Sequence, residues 1–316
     1  MKIHNSCILA PNESIKFDDP RIKYPMFGSV KFDGIRCIIL NGTLFSRYMK
    51  PFKNIQLTNY FSGLIEVSKY NNLVFDMEIY DPNENNFGNI ISYGSSLDKN
   101  VPETVKGFIF DAIGAQEWES KQSKIFKHRY DILKNLDSLK TLANVSIVEQ
   151  RLLNNAHESF NYFEECINNN QEGIMLRSPN GYYKYGRCSV RECNLLKFKK
   201  FVTIDGTILD VFVRNKMKDE VKNGERKLNP FGNKEVIHTK DSFEESDIAG
   251  GFLVKFDNGI ECKVNYGRGY DLESRRQHLL NKDNLIGKRI EVSYMSHGMK
   301  DKLRLPTFIR FRPDQD

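Results

Sequence analysis

Beyond Lys200 the apolar residues of this chain fall into the alternation of β-strands. "VTIDGTILDVFV", "GGFLVKFDNGIECKVNYG", "GKRIEVSYMS" and "LPTFIRFR" put apolar side chains at about every second position, with little helical pattern between them. Several short strands of this kind suit a small five-stranded barrel, in which one face of every strand is buried. Upstream the texture is mixed. Strand patterns at "GSVKFDG", "IRCIIL", "TLFSR", "NLVFDMEIY" and "GFIFDAI" are interleaved with helical ones, and Asn41-Gly42 marks a two-residue hairpin turn. From Ser123 to Leu139, Ile125, Tyr130, Leu133 and Leu136 recur near a helical period and predict one helix; "AHESFNYFEECINN" predicts another. A chain of 316 residues is comfortable for two domains. The reading is an α+β domain over residues 1–201 followed by a β-barrel over 202–316. The stretch from Asn215 to Asp247, rich in Lys, Glu, Asn and Asp, reads as a long polar loop or insertion.

Composition removes several classes. With 40% hydrophobic and 12% aromatic residues the chain can bury real cores, so intrinsic disorder is not expected. No stretch approaches the ~20 apolar residues of a membrane helix, and the start lacks a charged segment followed by an apolar run, so a soluble, unexported protein of the cytoplasm is expected. The six cysteines are scattered, without a C-x-x-C pair, and read as reduced thiols. The six histidines are equally dispersed, which excludes the usual zinc spacings. Net charge is +6, and its distribution says more than its size. Between Gly181 and Lys200 stand six basic residues and one acid, interleaved with Tyr182, Tyr183, Tyr185 and Phe198. Such a mix suits phosphate contacts; a solvated basic face is the plainer reading.

Lys31, in "VKFDGIRCII", poses the sharpest question. By itself it reads as an edge-strand lysine with its stem buried and its charge in water. K-F-D-G-I-R at Lys31–Arg36 is, however, the first of an ordered series. "FSR" ends at Arg47, "DME" at Glu78 and "FIFD" at Asp111; "EGIMLR" runs from Glu172 to Arg177, "LLKFK" ends at Lys199, and "RLPTFIRFR" begins at Arg304. In this order the series resembles the ATP-dependent DNA ligases of the covalent nucleotidyltransferase superfamily, particularly the compact two-domain enzymes of bacteriophages. The resemblance implies a nucleotidyltransferase (adenylation) domain with antiparallel sheets and flanking helices, then a C-terminal OB-fold barrel. It also implies ATP, a covalent AMP on Lys31, Mg²⁺ or Mn²⁺, and nicked double-stranded DNA as substrate, handled by a monomer in the cytoplasm, the host's if the source is viral. Replication, repair and recombination of DNA are the settings for such an enzyme.

The residue types fit that chemistry. A lysine that attacks a phosphate must be neutral, so burial and neighbouring cations have to lower its proton affinity. Lys197 and Lys199 alternate along "KFK" and share one strand face, from which they supply positive charge beside Lys31 and clamps on the α-phosphate; an exposed polar strand edge is the plainer reading. Mg²⁺ asks for few carboxylates and keeps waters, so Glu78 and Glu172 would suffice, although a carboxylate before Gly173 also suits a turn. The resemblance gives Glu172 to the metal and Glu78 to the ribose or metal. It stacks Phe110 on adenine, where a core phenylalanine is the alternative. Asp33 fixes the turn after Lys31. Arg36 and Arg47 are candidates for ribose, nucleotide phosphate or the 5′-phosphate of the nick. Lys184 and Arg187 in "YYKYGR" match a segment the family sets near the DNA backbone. The tail offers Arg304, Arg312 and either Asp314 or Asp316 for closing over the nucleotide, without the final basic residue of many relatives. Met77 stands where a glycine is usual. Two rivals share the fold, an RNA ligase and an mRNA-capping guanylyltransferase; a non-enzymatic DNA-binding barrel is a third.

Overall fold

The computed structural model describes residues 6–84, 87–228, 234–267, 269–299 and 301–313. They divide into two compact units, one ending at Lys199 and the other starting at Lys200. In the first, strands β1 (Met26–Val30), β2 (Ile35–Leu40), β3 (Thr43–Ser46), β4 (Leu73–Tyr80), β5 (Lys106–Gly114), β6 (Val145–Ile147), β7 (Arg151–Leu153), β8 (Gly173–Arg177) and β9 (Leu195–Lys199) form two sheets. One has the order β7-β1-β8-β9 and is antiparallel throughout. The other has the order β3-β2-β4-β5-β6, with only β5 and β6 parallel.

The five-stranded sheet is covered on both faces, which is why β2 reads as a nearly continuous apolar run. Cys37 and Ile39 join Phe75, Met77 and Ile109 in a core against Phe61, Leu64, Phe126 and Leu133 of the flanking helical segments. Ile38 and Leu40 point the other way, into a core with Val74, Ile113, Trp118 and Tyr183. The four-stranded sheet packs on the helix Ala156–Asn168, whose buried Ser159, Phe163 and Cys166 recur at helical spacing. Asn155 caps that helix by accepting from the Glu158 N–H at 2.9 Å, and Glu158 reaches back to the Asn154 N–H at 2.8 Å. Lys31–Gly34 is the passage from one sheet to the other, since β1 and β2 belong to different sheets.

The helix predicted over Ser123–Leu139 is split. It runs Phe126–Lys134, stops at Asn135, and a single turn follows at Asp137–Lys140. Leu136 keeps its packing against the core across the break, so the apolar period survived where the helix did not. The hairpin β2–β3 turns at Asn41-Gly42, as the dipeptide predicts.

The second unit holds β10 (Val202–Met217), β11 (Arg226–Leu228), β12 (Lys234–Val236), β13 (Phe243–Phe256), β14 (Glu261–Tyr266), β15 (Arg289–Met295) and β16 (Arg304–Phe311). Five of them close a barrel in the order β10-β13-β14-β16-β15, with β15 hydrogen-bonded back to β10. Alternate residues such as Ile208, Phe252, Val254, Val264, Ile290, Val292 and Phe308 fill its interior. This is the mixed α+β and barrel architecture the sequence predicts. The polar segment expected as a loop is corrected: β10 continues to Met217 and β13 starts at Phe243, pairing Lys216 with Glu244 and Met217 with Phe243. The Lys216–Glu244 ion pair at 3.1 Å shows how a strand extension outside the barrel can be polar on its faces. A short helix, Asp219–Lys222, the antiparallel pair β11–β12 and a 3-10 turn at Lys240–Ser242 lie between β10 and β13.

No helix among the described residues is long and apolar enough to cross a membrane. All six cysteines are buried free thiols.

Candidate active site

Lys31 lies one residue beyond β1, and its backbone N–H donates to the Gly173 carbonyl at 2.9 Å. Its Nζ contacts one carboxylate oxygen of Glu172, and Lys199 Nζ contacts the other. Glu172 is only 2% exposed, so two ammonium groups converge on one buried carboxylate. Gly173, next in sequence, makes this possible: its φ is +146°, and a Cβ there would come within 2.1 Å of the Phe198 carbonyl oxygen. Only glycine lets the two backbones approach so closely. Gly34 of K-F-D-G has a parallel reason. A side chain on it would meet the Ile79 carbonyl oxygen at 2.2 Å and Glu78 Cγ at 2.8 Å. The motif's glycine is where the chain presses against β4 beside the second carboxylate.

Lys197 and Lys199 share a face of β9 and line a cavity of about 520 Å³ together with Lys31, Glu78, Phe110 and Arg47. That volume lies within the ordinary range for small-ligand sites. Burial lowers the proton affinity of Lys197 to a pKa of about 8, with further lowering from Lys199, Arg187, Lys31 and Arg47. Lys199 is lowered too, by burial and by Lys31, against the opposing pull of Glu172. Glu78, opposite Arg36 in the β2–β4 ladder, has its carboxyl pushed up to about 7. Burial is the main cause, with Glu172 and Asp76 adding to it and Lys31 and Arg36 opposing it.

Phe110 sits at a bulge. Asp76 pairs with Asp111 and Met77 with Ile109, so Phe110 has no partner across the ladder and its ring joins the cavity lining. The guanidinium of Arg36 lies 4.7 Å from its ring centroid and that of Arg177 5.4 Å. Met77 is fully buried in the core on β4 and leaves Asp76 and Glu78 in place on either side.

Arg36 was expected at a phosphate or ribose. Although it lines the cavity, its guanidinium forms a two-pronged pair with Asp76, both contacts 2.5 Å, and the Tyr183 hydroxyl donates to the same carboxylate at 2.5 Å. A second buried cluster lies beside it: Asp111 accepts from Arg129 at 2.7 and 3.1 Å and also from Arg177. Asp76, Asp111, Arg129, Arg177 and Tyr183 received no role from the sequence. The available signal was an acid within each of two apolar strands, "VFDMEI" and "FIFDAI", since buried carboxylates require partners.

The other expected residues are more dispersed. Arg47 is exposed at the cavity lining, with its guanidinium 5.1 Å from the Tyr48 ring centroid. Arg187 also lines the cavity and donates to the Ala10 carbonyl at 2.6 Å, whereas Lys184 is paired with Glu192 at 2.5 Å. Asp33 is buried in the turn after Lys31. Arg304 and Arg312 belong to the second unit. There Arg304 donates to the His297 carbonyl at 3.2 Å, and Arg312 pairs with Asp205 at 3.0 Å and Glu291 at 3.4 Å. Asp314 and Asp316 lie outside the described residues. Among the described residues no group of three or more His, Cys, Asp or Glu could hold a metal ion.

Two family models match the chain, an ATP dependent DNA ligase domain over residues 19–199 and a DNA ligase OB-like domain over residues 245–312. Among curated proteins, the DNA ligases of Enterobacteria phages T4 and T6 are each 27% identical over 206 residues, 60% of this chain. The match covers 36% of each relative, so the chain spans about a third of the length of those proteins. Among solved structures, a Lig E DNA ligase aligns with a TM-score of 0.65 at 19% identity, covering 98% of this chain and 99% of that one. The Chlorella virus DNA ligase-adenylate aligns with a TM-score of 0.51 at 23% identity, covering 97% of this chain and 99% of that one. These two likenesses speak for the fold.

Proposed function

The chain belongs to the ATP-dependent DNA ligase family, and from that premise we propose that it uses ATP to seal 5′-phosphate/3′-hydroxyl nicks in duplex DNA. Nucleotide chemistry falls to residues 1–201 and the OB fold to residues 202–316. One observation carries the reading: Lys31, whose amine contacts Glu172, lines a nucleotide-sized cavity shared with Lys197, Lys199, Glu78 and the Phe110 ring. In the first step Lys31 Nζ, having lost a proton and its contact with Glu172, attacks the α-phosphorus of ATP. The bond to pyrophosphate breaks as the P–N bond forms. A 5′-phosphate oxygen at the nick then attacks the same phosphorus and releases Lys31, and the 3′-hydroxyl finally attacks the 5′-phosphorus and expels AMP. Each step is an in-line phosphoryl transfer, so positioning and charge carry the catalysis. Lys197 and Lys199 bring positive charge beside Lys31 and hold phosphate oxygens. Phe110 stacks on adenine, and Arg47, Lys184 and Arg187 meet DNA phosphates. The monomer is taken as the working unit, in the cytoplasm.

Glu78 and Glu172 fit a Mg²⁺ ion. Both are carboxylates, and the raised proton affinity of buried Glu78 beside a second acid marks a site that gains from a cation. Bound there, the ion would neutralise phosphate charge and draw electron density from phosphorus.

The deciding experiment is intact-protein mass after incubation with Mg²⁺ and either ATP or GTP, followed by nicked duplex DNA. An adenylyl adduct with ATP alone, lost as the nick is sealed, is the expected result. A guanylyl adduct would indicate capping chemistry, and an adenylyl group discharged only by RNA ends would indicate an RNA ligase. No adduct on protein first stripped of bound AMP with pyrophosphate would remove Lys31 as a nucleophile.

A pH effect follows from Lys197. Its ammonium binds phosphate and its neutral form does not, so affinity for a non-cleavable α,β-methylene ATP analogue should fall as the pH rises through about 8. Calorimetric titration between neutral and alkaline pH measures this. In Lys197→Arg, which stays charged, the decline should be shallower; an equal decline would place the titrating group elsewhere.

A further inference from the structure

Tyr183 belongs to the basic, tyrosine-rich stretch that the proposed function turns toward DNA, yet it is 3% exposed. Its surroundings hold it still. The Tyr183 N–H donates to Ser123 Oγ at 2.7 Å, and the Gly181 carbonyl accepts from the Phe126 N–H at 2.9 Å and from Arg129 at 3.3 Å. The ring meets Trp118 and Tyr185 at centroid distances of 5.6 and 5.3 Å. This places the hydroxyl on Asp76 Oδ2 at 2.5 Å, the oxygen that also accepts from an Arg36 nitrogen at 2.5 Å. Asp76 is fully buried and takes two hydrogen bonds from Arg36 and one from Tyr183. Burial, with Asp76 adding to it, keeps the phenol well above its ordinary pKa, so it remains a donor.

We propose that Tyr183 is a positioning residue for the nucleotide pocket: its hydroxyl fixes the Asp76 carboxylate, and through it the Arg36 guanidinium that lies over Phe110. The two-pronged pair fixes Arg36 and Asp76 to each other, one contact on each carboxylate oxygen, and so leaves them free to shift as a unit. A third donor from a different part of the chain removes that freedom. Phe110 is at a bulge, outside the ladder, so the orientation of its ring depends on what lies against its faces. Tyr183 is thus part of the wall behind the aromatic side of the cavity, although it lines none of the cavity itself. The assignment rests on reading that cavity as the nucleotide site.

The test is enzyme adenylylation measured against ATP concentration. Tyr183→Phe should raise KM for ATP about fivefold, with the rate at saturating ATP and the fraction of molecules that accept AMP unchanged. Arg36→Lys, which keeps the charge but loses the flat two-pronged pair, should raise KM at least as much. Adding Tyr183→Phe to Arg36→Lys should then cost nothing further, because the hydroxyl acts through the guanidinium. An unchanged KM in Tyr183→Phe, or a reduced active fraction alone, overturns the assignment while the ligase reading stands, as do additive effects in the double variant. Were Tyr183→Phe not to fold, Arg36→Lys would decide, an unchanged KM again overturning the assignment. A wild-type protein that forms no adduct overturns the ligase reading, and this assignment with it.

Discussion

Lys31→Ala abolishes both the adenylyl adduct and the sealing of a nick with ATP, a loss on the order of 10⁴-fold or more, as for other removed nucleophiles. Alanine has no lone pair to offer the α-phosphorus. Lys199 is held on Glu172 as Lys31 is, through the other carboxylate oxygen. Lys197 is the more accessible amine by proton affinity, with a pKa of about 8, and so is the alternative the experiment must exclude. Adduct mass and peptide mapping on the wild type, followed by the same assay on Lys31→Ala and Lys197→Ala, separate them. The chemistry makes a second demand. The last step joins a 3′-hydroxyl to an already adenylylated 5′-phosphate and uses no lysine nucleophile, so Lys31→Ala should still seal a nick supplied in adenylylated form. Sealing with ATP at the wild-type rate in this variant would move the nucleophile elsewhere. Loss of sealing on the adenylylated nick, with the fold intact, would give Lys31 a role beyond attack.

Asp111→Ala should destabilise the first unit by about 3–5 kcal/mol. Asp111 is fully buried and is the counter-charge for Arg129, itself 1% exposed, and for Arg177 at 6%. Without it two guanidiniums are left in the interior facing an empty space, and the cost approaches the whole stability of a marginal domain. Asp111→Asn keeps the shape and removes the charge, so it should fall between wild type and alanine. Urea unfolding followed by tryptophan fluorescence is a direct readout, since Trp118, the sole tryptophan, is buried in the same unit. A midpoint within error of wild type would mean that solvent or another acid reaches the two arginines. The pH dependence has a definite sign. Burial alone would raise the Asp111 pKa, but Arg129 and Arg177 overcome it and hold the carboxyl below its ordinary 3.8. The stabilisation is therefore complete above that value and is lost as the pH falls below it toward the lowered folded one. Acid titration of the wild type should show this loss, and Asp111→Asn should lack it.

What could be read from the sequence was what short-range pattern encodes. The hairpin at Asn41-Gly42, the strands around Phe75 and Ile109 and the alternating barrel strands follow from local periodicity and turn chemistry. Lys197 and Lys199 come to one face because strands alternate. What escaped depended on pairing across the chain. The extension of β10 and β13 has no apolar alternation to announce it, because cross-strand charge pairs such as Lys216–Glu244 replace a buried face. The Arg36–Asp76–Tyr183 group joins Asp76 to a hydroxyl 107 residues further along the chain, and no local pattern carries such a distance. Arg36 was matched to a phosphate on residue type, and its pairing with the fully buried Asp76 went unread. The break after Lys134 escaped for the opposite reason: packing preserved the helical period through a turn that is not helical.

The buried cysteines open a route to spectroscopy. Each of the six thiols is shielded from solvent, and burial raises the pKa of every one, so little reactive thiolate is present near neutral pH. A single cysteine introduced on an exposed strand or helix would outcompete all of them for a maleimide dye. The natural sequence can then serve as its own unlabelled background, and a fluorophore can be placed on either unit without first stripping the chain of its native sulfur.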